Sequence, residues 1–334
     1  MTTSLVPALT IGSDAPLTAA YPARLSAWAQ LGTSVSGSGS AQDALVAAGL
    51  ANWNIRKVSM TGTELGTDGV TQIDNPESVM LVYTDPWTGR PRYLSTVGTS
   101  YGVHQNEAGA DLIDALVAES GAKGIGYAGA IKNGKQTFVT IELPGVMHVD
   151  GVDALQLHLV VFNSHDGSTA FRVMIVPFRP FCANQLDVAI KDQVSMVSIR
   201  HTSKSAINVE EIRKKLGLLY AFSHAFEAEA EKMIRAEMTR SEFNDLIRHV
   251  WPVEDDASPR TTGIAERRVQ ELNRLWTAKT QEHIQGNRYA AFQTVAEFED
   301  HYARAKNLDV RATRVLTSKI VNARKQTAFD LLTA

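Results

Sequence analysis

The chain predicts an α+β fold: a mixed, mainly antiparallel sheet with β-hairpins, followed by a helical C-terminal region. Three observations carry this. Leu155, Leu157, Leu159 and Val161 recur at every second residue, the period of a half-buried strand. Asn163-Ser164-His165-Asp166-Gly167-Ser168 then supplies turn chemistry, and Ala170 to Val176 returns as a second strand with Arg172 on the face opposite Phe171 and Val173. From Asn208 onward the apolar spacing becomes helical.

In chain order, residues 1–24 are rich in Thr, Ser, Ala and Pro and are expected to form an arm. Trp28 precedes a Leu31-Gly32-Thr33 turn and the Ser/Gly loop 36–40. Ala41 to Ala48 reads as a short helix between an N-cap at Ser40 and Gly49. Trp53 to Val58 reads as a strand and Glu64 to Pro76 as a loop. Strands are expected at Val79–Thr84 and Tyr93–Gly98, and an amphipathic helix at Asn106–Ser120, closed by Gly121. Gly124–Ile131 and Thr137–Leu143 form a hairpin around Asn133-Gly134. After the central hairpin, Pro177 and Pro180 are expected to stop the ladder, since proline lacks the donor. A short helix is expected at Ala183–Lys191 and a strand at Val194–Ile199. Helices follow at 208–236, 241–250, 262–284, 289–305 and 309–332. The expected division is an arm over 1–24, a sheet domain over 25–205 and a helical domain over 206–334.

At 334 residues and 44% hydrophobic, the chain can bury a substantial core. No apolar run approaches the roughly 18–20 residues of a transmembrane helix. The start of the chain lacks the charged and apolar regions of a signal peptide, so a cytoplasmic location is expected. Cys182 is the single cysteine, which excludes an internal disulfide and a cysteine-cluster metal site. The histidines follow no ligand spacing and the glycines form neither a Walker loop nor a dinucleotide fingerprint, so neither metal nor cofactor is expected. His165 and Asp166 beside Ser164 and Ser168 read as turn chemistry rather than a triad.

Charge is uneven. Residues 200–334 carry 22 Lys+Arg against 19 Asp+Glu, leaving the first part acidic. Arg304 to Lys325 holds seven basic residues and one acid, Asp309. A second basic series runs through Arg172, Arg179, Lys191, Arg200, Lys204, Arg213, Lys214 and Lys215, interleaved with Phe171, Phe178, Phe181 and Tyr220. Cations that displace counterions, with aromatics that stack bases, are the recipe for binding single strands.

Several stretches resemble the phage/plasmid-like protein family, a domain of unknown function found in bacteriophages and plasmids. They are Trp28 with Leu31-Gly32-Thr33, Val97-Gly98-Thr99-Ser100-Tyr101 with Gln105-Asn106, and the 163–168 turn leading to Arg172-Val173. Arg179 with Cys182 and Asn184, and Ser198-Ile199-Arg200-His201-Thr202, complete the set. Ala29-Gln30 stands where the family pattern carries His-Gly. The resemblance implies a phage or plasmid gene product in a bacterial host, and no activity.

The reading that follows is a non-enzymatic DNA-binding protein of phage recombination or replication. It would anneal single-stranded DNA as a homo-oligomeric ring or filament, without nucleotide hydrolysis. Arg172, Arg179, Arg200, Lys204, Lys214, Lys215, Arg311 and Arg314 are the expected phosphate contacts. The alternative is a non-catalytic structural or host-interaction homo-oligomer in which the Arg304–Lys325 cluster pairs with acidic neighbours such as Glu297, Glu299 and Asp300, or across a subunit interface. A nuclease using Asp150, Asp153 and Asp166 comes third.

Overall fold

A computed structural model describes residues 25–179, 190, 196–199 and 209–334; for 209–216 and 218 it describes the backbone only. The expected arm over 1–24 and the helix expected at Ala183–Lys191 lie outside the described residues, apart from Ile190.

The strands are β1 (Gly32–Ser34), β2 (Arg56–Gly66), β3 (Gly69–Thr84), β4 (Pro91–Gly98), β5 (Gly124–Ile131), β6 (Gln136–Val149), β7 (Asp153–Ser164), β8 (Phe171–Phe178) and β9 (Met196–Ile199). They form two sheets, β1-β5-β6-β7-β8-β9 and β2-β3-β4, and every described pairing is antiparallel. The helices are α1 (Ala27–Leu31), α2 (Ala41–Ala47), α3 (Ala110–Ser120), α4 (Val209–Arg235), α5 (Arg240–Val250), α6 (Pro259–Trp276), α7 (Arg288–Glu297), α8 (Leu308–Thr317) and α9 (Lys319–Thr333). The chain is α+β, as its periodicities predict.

Local chemistry explains the ends of these elements. Ser40 caps α2 by accepting from the Asp43 N–H, and Thr239 with Glu242 forms a capping box on α5. Gly121 closes α3 at φ 64°, a conformation open to glycine at little cost.

Four expectations are corrected. The 64–76 stretch is not a loop but the distal part of the β2–β3 hairpin, turning at Gly66–Gly69. Its β-branched residues Thr61, Thr63, Val70, Thr71 and Ile73 favour extended backbone. Pro177 does not stop β8, because it pairs with Leu157. On its other side the described residues of β9 pair as far as Met174. Leu31-Gly32-Thr33 is a helix-to-strand junction rather than a turn. The helix expected over 309–332 breaks at Ser318, which ends α8 and caps α9.

One face of the larger sheet meets Trp28 of α1 and Val315 and Leu316 of α8 through Phe138, Val160, Phe162, Met174 and Val176. The other face joins a single apolar core that runs from Val35 through Leu159, Phe222, Phe243 and Phe292 to Leu332. That core crosses residue 205, so the sheet and helical regions do not keep separate interiors.

Where β1 meets β5 the backbones almost touch: a Cβ on Gly129 would lie 2.7 Å from Gly32 Cα and 2.8 Å from the Leu31 carbonyl. Rigid backbone cannot yield as a side-chain tip can. Gly129→Ala should therefore cost about 1–3 kcal/mol in urea unfolding, while Gly217→Ala, where a Cβ would meet nothing within 4 Å, has no comparable clash.

Candidate nucleic-acid interface

The expected phosphate contacts fall into five groups. Arg200 and Lys204 lie outside the described residues. Lys214 and Lys215 lie in the second turn of α4, a 27-residue helix that packs on β6, β8 and β9. Arg172 is on the sheet face that α1 and α8 partly cover. Its guanidinium lies over the Phe162 ring at 4.9 Å and Nη1 reaches Met196 Sδ at 3.8 Å. It is half-buried at the β7–β8–β9 edge, the expected face opposite Phe171 and Val173.

Arg179 requires a correction. It is 0% exposed and cannot meet a phosphate. Its Nε donates to Asp153 Oδ1 at 2.9 Å, Nη1 to Gln281 Oε1 at 3.0 Å and Nη2 to the Thr280 carbonyl at 3.0 Å. Tyr289 donates from its hydroxyl to Asp153 Oδ2 at 2.9 Å. His283 Nε2 lies 2.9 Å from Asp153 Oδ1 and 3.0 Å from Arg179 Nη2. It donates to the carboxylate when protonated there and accepts from the guanidinium when not. Gln281 and Thr280 donate in turn to Glu297 Oε2, each at 2.9 Å. Burial alone would raise the Asp153 carboxyl; Arg179, with His283 and Tyr289, outweighs it and holds the carboxyl below its ordinary range.

The second basic cluster is also turned inward. Arg314 and Arg324 reach the two oxygens of buried Glu299 at 3.3 and 2.8 Å, and buried Lys325 donates to Asp300 at 2.6 Å. Arg311 donates from Nε to the Ala303 carbonyl at 3.2 Å and is half-buried. Arg311 and Arg314 thus serve the packing of α8 and do not form a basic strip. Glu299 and Asp300 stand in a turn of π-helix, Phe298–Tyr302, that continues α7 and re-aims its side chains.

The aromatics named for stacking divide the same way. Phe171 and Phe178 are buried, Tyr220 is half-buried, and Phe181 lies outside the described residues. The 163–168 segment is turn chemistry: Ser164 and Ser168 donate to Asp166 Oδ1, and Asn163 accepts from the Ser164 N–H. His165 is buried with Nε2 2.9 Å from Asn106 Oδ1. Asp153 and Asp166 flank opposite ends of β7, 12 residues and so roughly 35 Å apart, and Asp150 is paired with Arg235. These three acids do not converge. Among the described residues no group of His, Cys, Asp or Glu is arranged to hold a metal, and no helix is long and apolar enough to cross a membrane.

The arrangement is a sheet crossed by a long helix, with Arg172 stacked at one edge and Arg179, Arg311 and Arg314 committed to internal partners. The chain belongs to the family described as a domain of unknown function, DUF932, whose model matches residues 93–325. No curated protein and no solved structure matches it.

Sequence reasoning missed the Asp153–Arg179–His283–Tyr289 cluster. Its members are up to 136 residues apart, and the one available signal was an arginine and an aspartate at the ends of two apolar strands.

Two outcomes follow. Asp153→Ala leaves the Arg179 charge buried without its carboxylate and should destabilise by about 3–5 kcal/mol in denaturant titration. Burial lowers His158 to about 4, so the folded state resists its protonation. The corresponding stability is complete above the unfolded value of about 6.5 and is lost as pH falls toward 4, a span worth about 3 kcal/mol. His158→Phe should flatten the decline of stability between those pH values.

Proposed function

We propose that this is a phage or plasmid gene product that binds single-stranded DNA and anneals complementary strands as a homo-oligomeric ring or filament. The observation that carries the reading is Arg172, stacked on Phe162 at the β8–β9 edge of one sheet face, while α4, with Lys214 and Lys215 in its second turn, packs on the other face of the same sheet. In sequence, Arg200 and Lys204 join these two elements. The phosphate contacts proposed are Arg172, Arg200, Lys204, Lys214 and Lys215, the last four assigned from their charge and their place in the sequence. Arg179, Arg311 and Arg314 leave the proposed set because internal partners hold them. Annealing requires neutralised phosphates and exposed bases but no nucleotide or metal, so it makes no demand for a catalytic constellation.

A second reading has its own support. Arg314 and Arg324 pair with Glu299 and Lys325 with Asp300 inside the chain, which takes these cations away from a nucleic acid and favours a non-catalytic structural or host-interaction homo-oligomer.

Anisotropy of a labelled single-stranded oligonucleotide across a salt series, with a duplex control, separates the two. Annealing predicts tight, salt-sensitive binding that prefers single strands, followed by faster pairing of complementary oligonucleotides. Arg172→Ala and Arg200→Glu should each weaken binding and reduce the salt slope by about 0.7 per lost phosphate contact. No binding at low salt would remove the DNA reading and leave the second.

A further inference from the structure

The distal part of the β2–β3 hairpin is a ribbon with nothing beneath it among the described residues. Every residue from Thr61 to Glu77 is exposed, and Leu65, Val70 and Ile73 stand 80%, 65% and 55% in solvent. A two-stranded ribbon alone is marginal in water, and exposed apolar strands invite a partner. Between Val58 and Thr84 the chain carries Glu64, Asp68, Asp74 and Glu77, and no lysine or arginine. Gly62 pairs with Ile73, so no side chain fills the space there. The register shift at Ser59/Met60 bends the ribbon, and an open concavity of about 600 Å³ lies over Met60, Gly62, Ile73 and Pro76.

The start of α8 has the opposite character. Leu308 and Val310 are exposed apolar side chains, and Arg304 and Lys306 beside them are exposed cations. The one acid there, Asp309, accepts from Gln30. At the far end of the helix, about 15 Å on, Lys319 and Ile320 repeat the pairing of cation and apolar side chain. The ribbon from Met60 to Gly66 is roughly 20 Å long, enough to span this surface.

We propose that the β2–β3 ribbon of one copy lies along α8 of a second copy. Glu64 and Asp68 face Arg304 and Lys306, while Met60 and Ile73, on the same ribbon face as Glu64, cover Leu308 and Val310. The two surfaces are different parts of one chain, so the contact is head-to-tail and propagates into a ring or a filament. The inference rests on the homo-oligomeric part of the reading above and not on its nucleic-acid part.

The test is the mass in solution, by light scattering on the full chain, of the wild type and two charge-reversed variants. One carries Glu64→Lys with Asp68→Lys, the other Arg304→Glu with Lys306→Glu. Wild type should run as a multiple of 36.4 kDa. Each variant alone should weaken assembly at least about tenfold, since like charges then face one another. Mixing the two should restore assembly, because every contact again joins opposite charges, and that recovery shows both variants are folded. A monomeric wild type, unchanged masses or a mixture that stays dissociated each overturn the proposal. Loss of oligonucleotide binding in the Arg304→Glu/Lys306→Glu variant with its mass unchanged would assign α8 to nucleic acid and overturn it too. A wild type that assembles without binding DNA would sink annealing alone, and a monomer that anneals would sink ribbon docking alone.

Discussion

The buried ion pair between Asp153 and Arg179 is the constraint on which the joining of sheet and helices depends. A charge taken from water is tolerated only beside its counter-charge and with its remaining hydrogen-bonding groups satisfied. The strand register begins the pairing: Phe178 lies opposite Gln156, which brings the next residue, Arg179, toward Asp153 two positions before Leu155. The sheet alone satisfies only part of the guanidinium. Gln281 and the Thr280 carbonyl supply the rest, and Glu297 fixes the side chains of both residues from α7. Tyr289 closes the far side of the carboxylate. A helical region docked elsewhere would leave a buried charge incompletely paired, so this cluster selects one docking among the many that apolar packing alone would allow.

The same logic governs the C-terminal basic cluster. Seven cations against one acid in 22 residues look like a surface for an anion when counted along the chain. In three dimensions the relevant acids come from just before that stretch, Glu299 and Asp300, carried inward by the π-helical turn after α7. Charge counted along a sequence omits such partners. What stays exposed is a smaller set at the ends of α8, mixed with apolar side chains, and that composition suits a protein contact better than a phosphate backbone.

Much of the fold was legible because strand and helix periods are local properties. Leu155 to Val161, the Asn133-Gly134 and Asp166-Gly167 turns, Ser40 before α2 and Gly121 after α3 all act on residues within a few positions of themselves. The failures share another cause. The 64–76 ribbon has no buried face, so it lacks the apolar alternation that marks a strand and shows only β-branched composition. Pro177 stays in β8 through its pairing with Leu157, a fact of the partner strand. Arg179 reads as a surface cation until Asp153, His283 and Tyr289 are brought to it by a fold that spans over a hundred residues. Of the candidate interface, Arg172 was legible from alternation alone, which set it opposite Phe171.

Taken together, the charges divide the molecule by task. The β2–β3 ribbon is acidic and apolar, so it is unsuited to a phosphate backbone and suited to a basic, apolar protein surface. The β8–β9 edge carries Arg172 on an aromatic ring, a cation–π contact at the edge of the sheet. Contacts between copies and contacts with a nucleic acid would then use different side chains. A strand-annealing assembly needs that separation: if one basic surface served both tasks, DNA and the neighbouring copy would compete for it, and each would release the other.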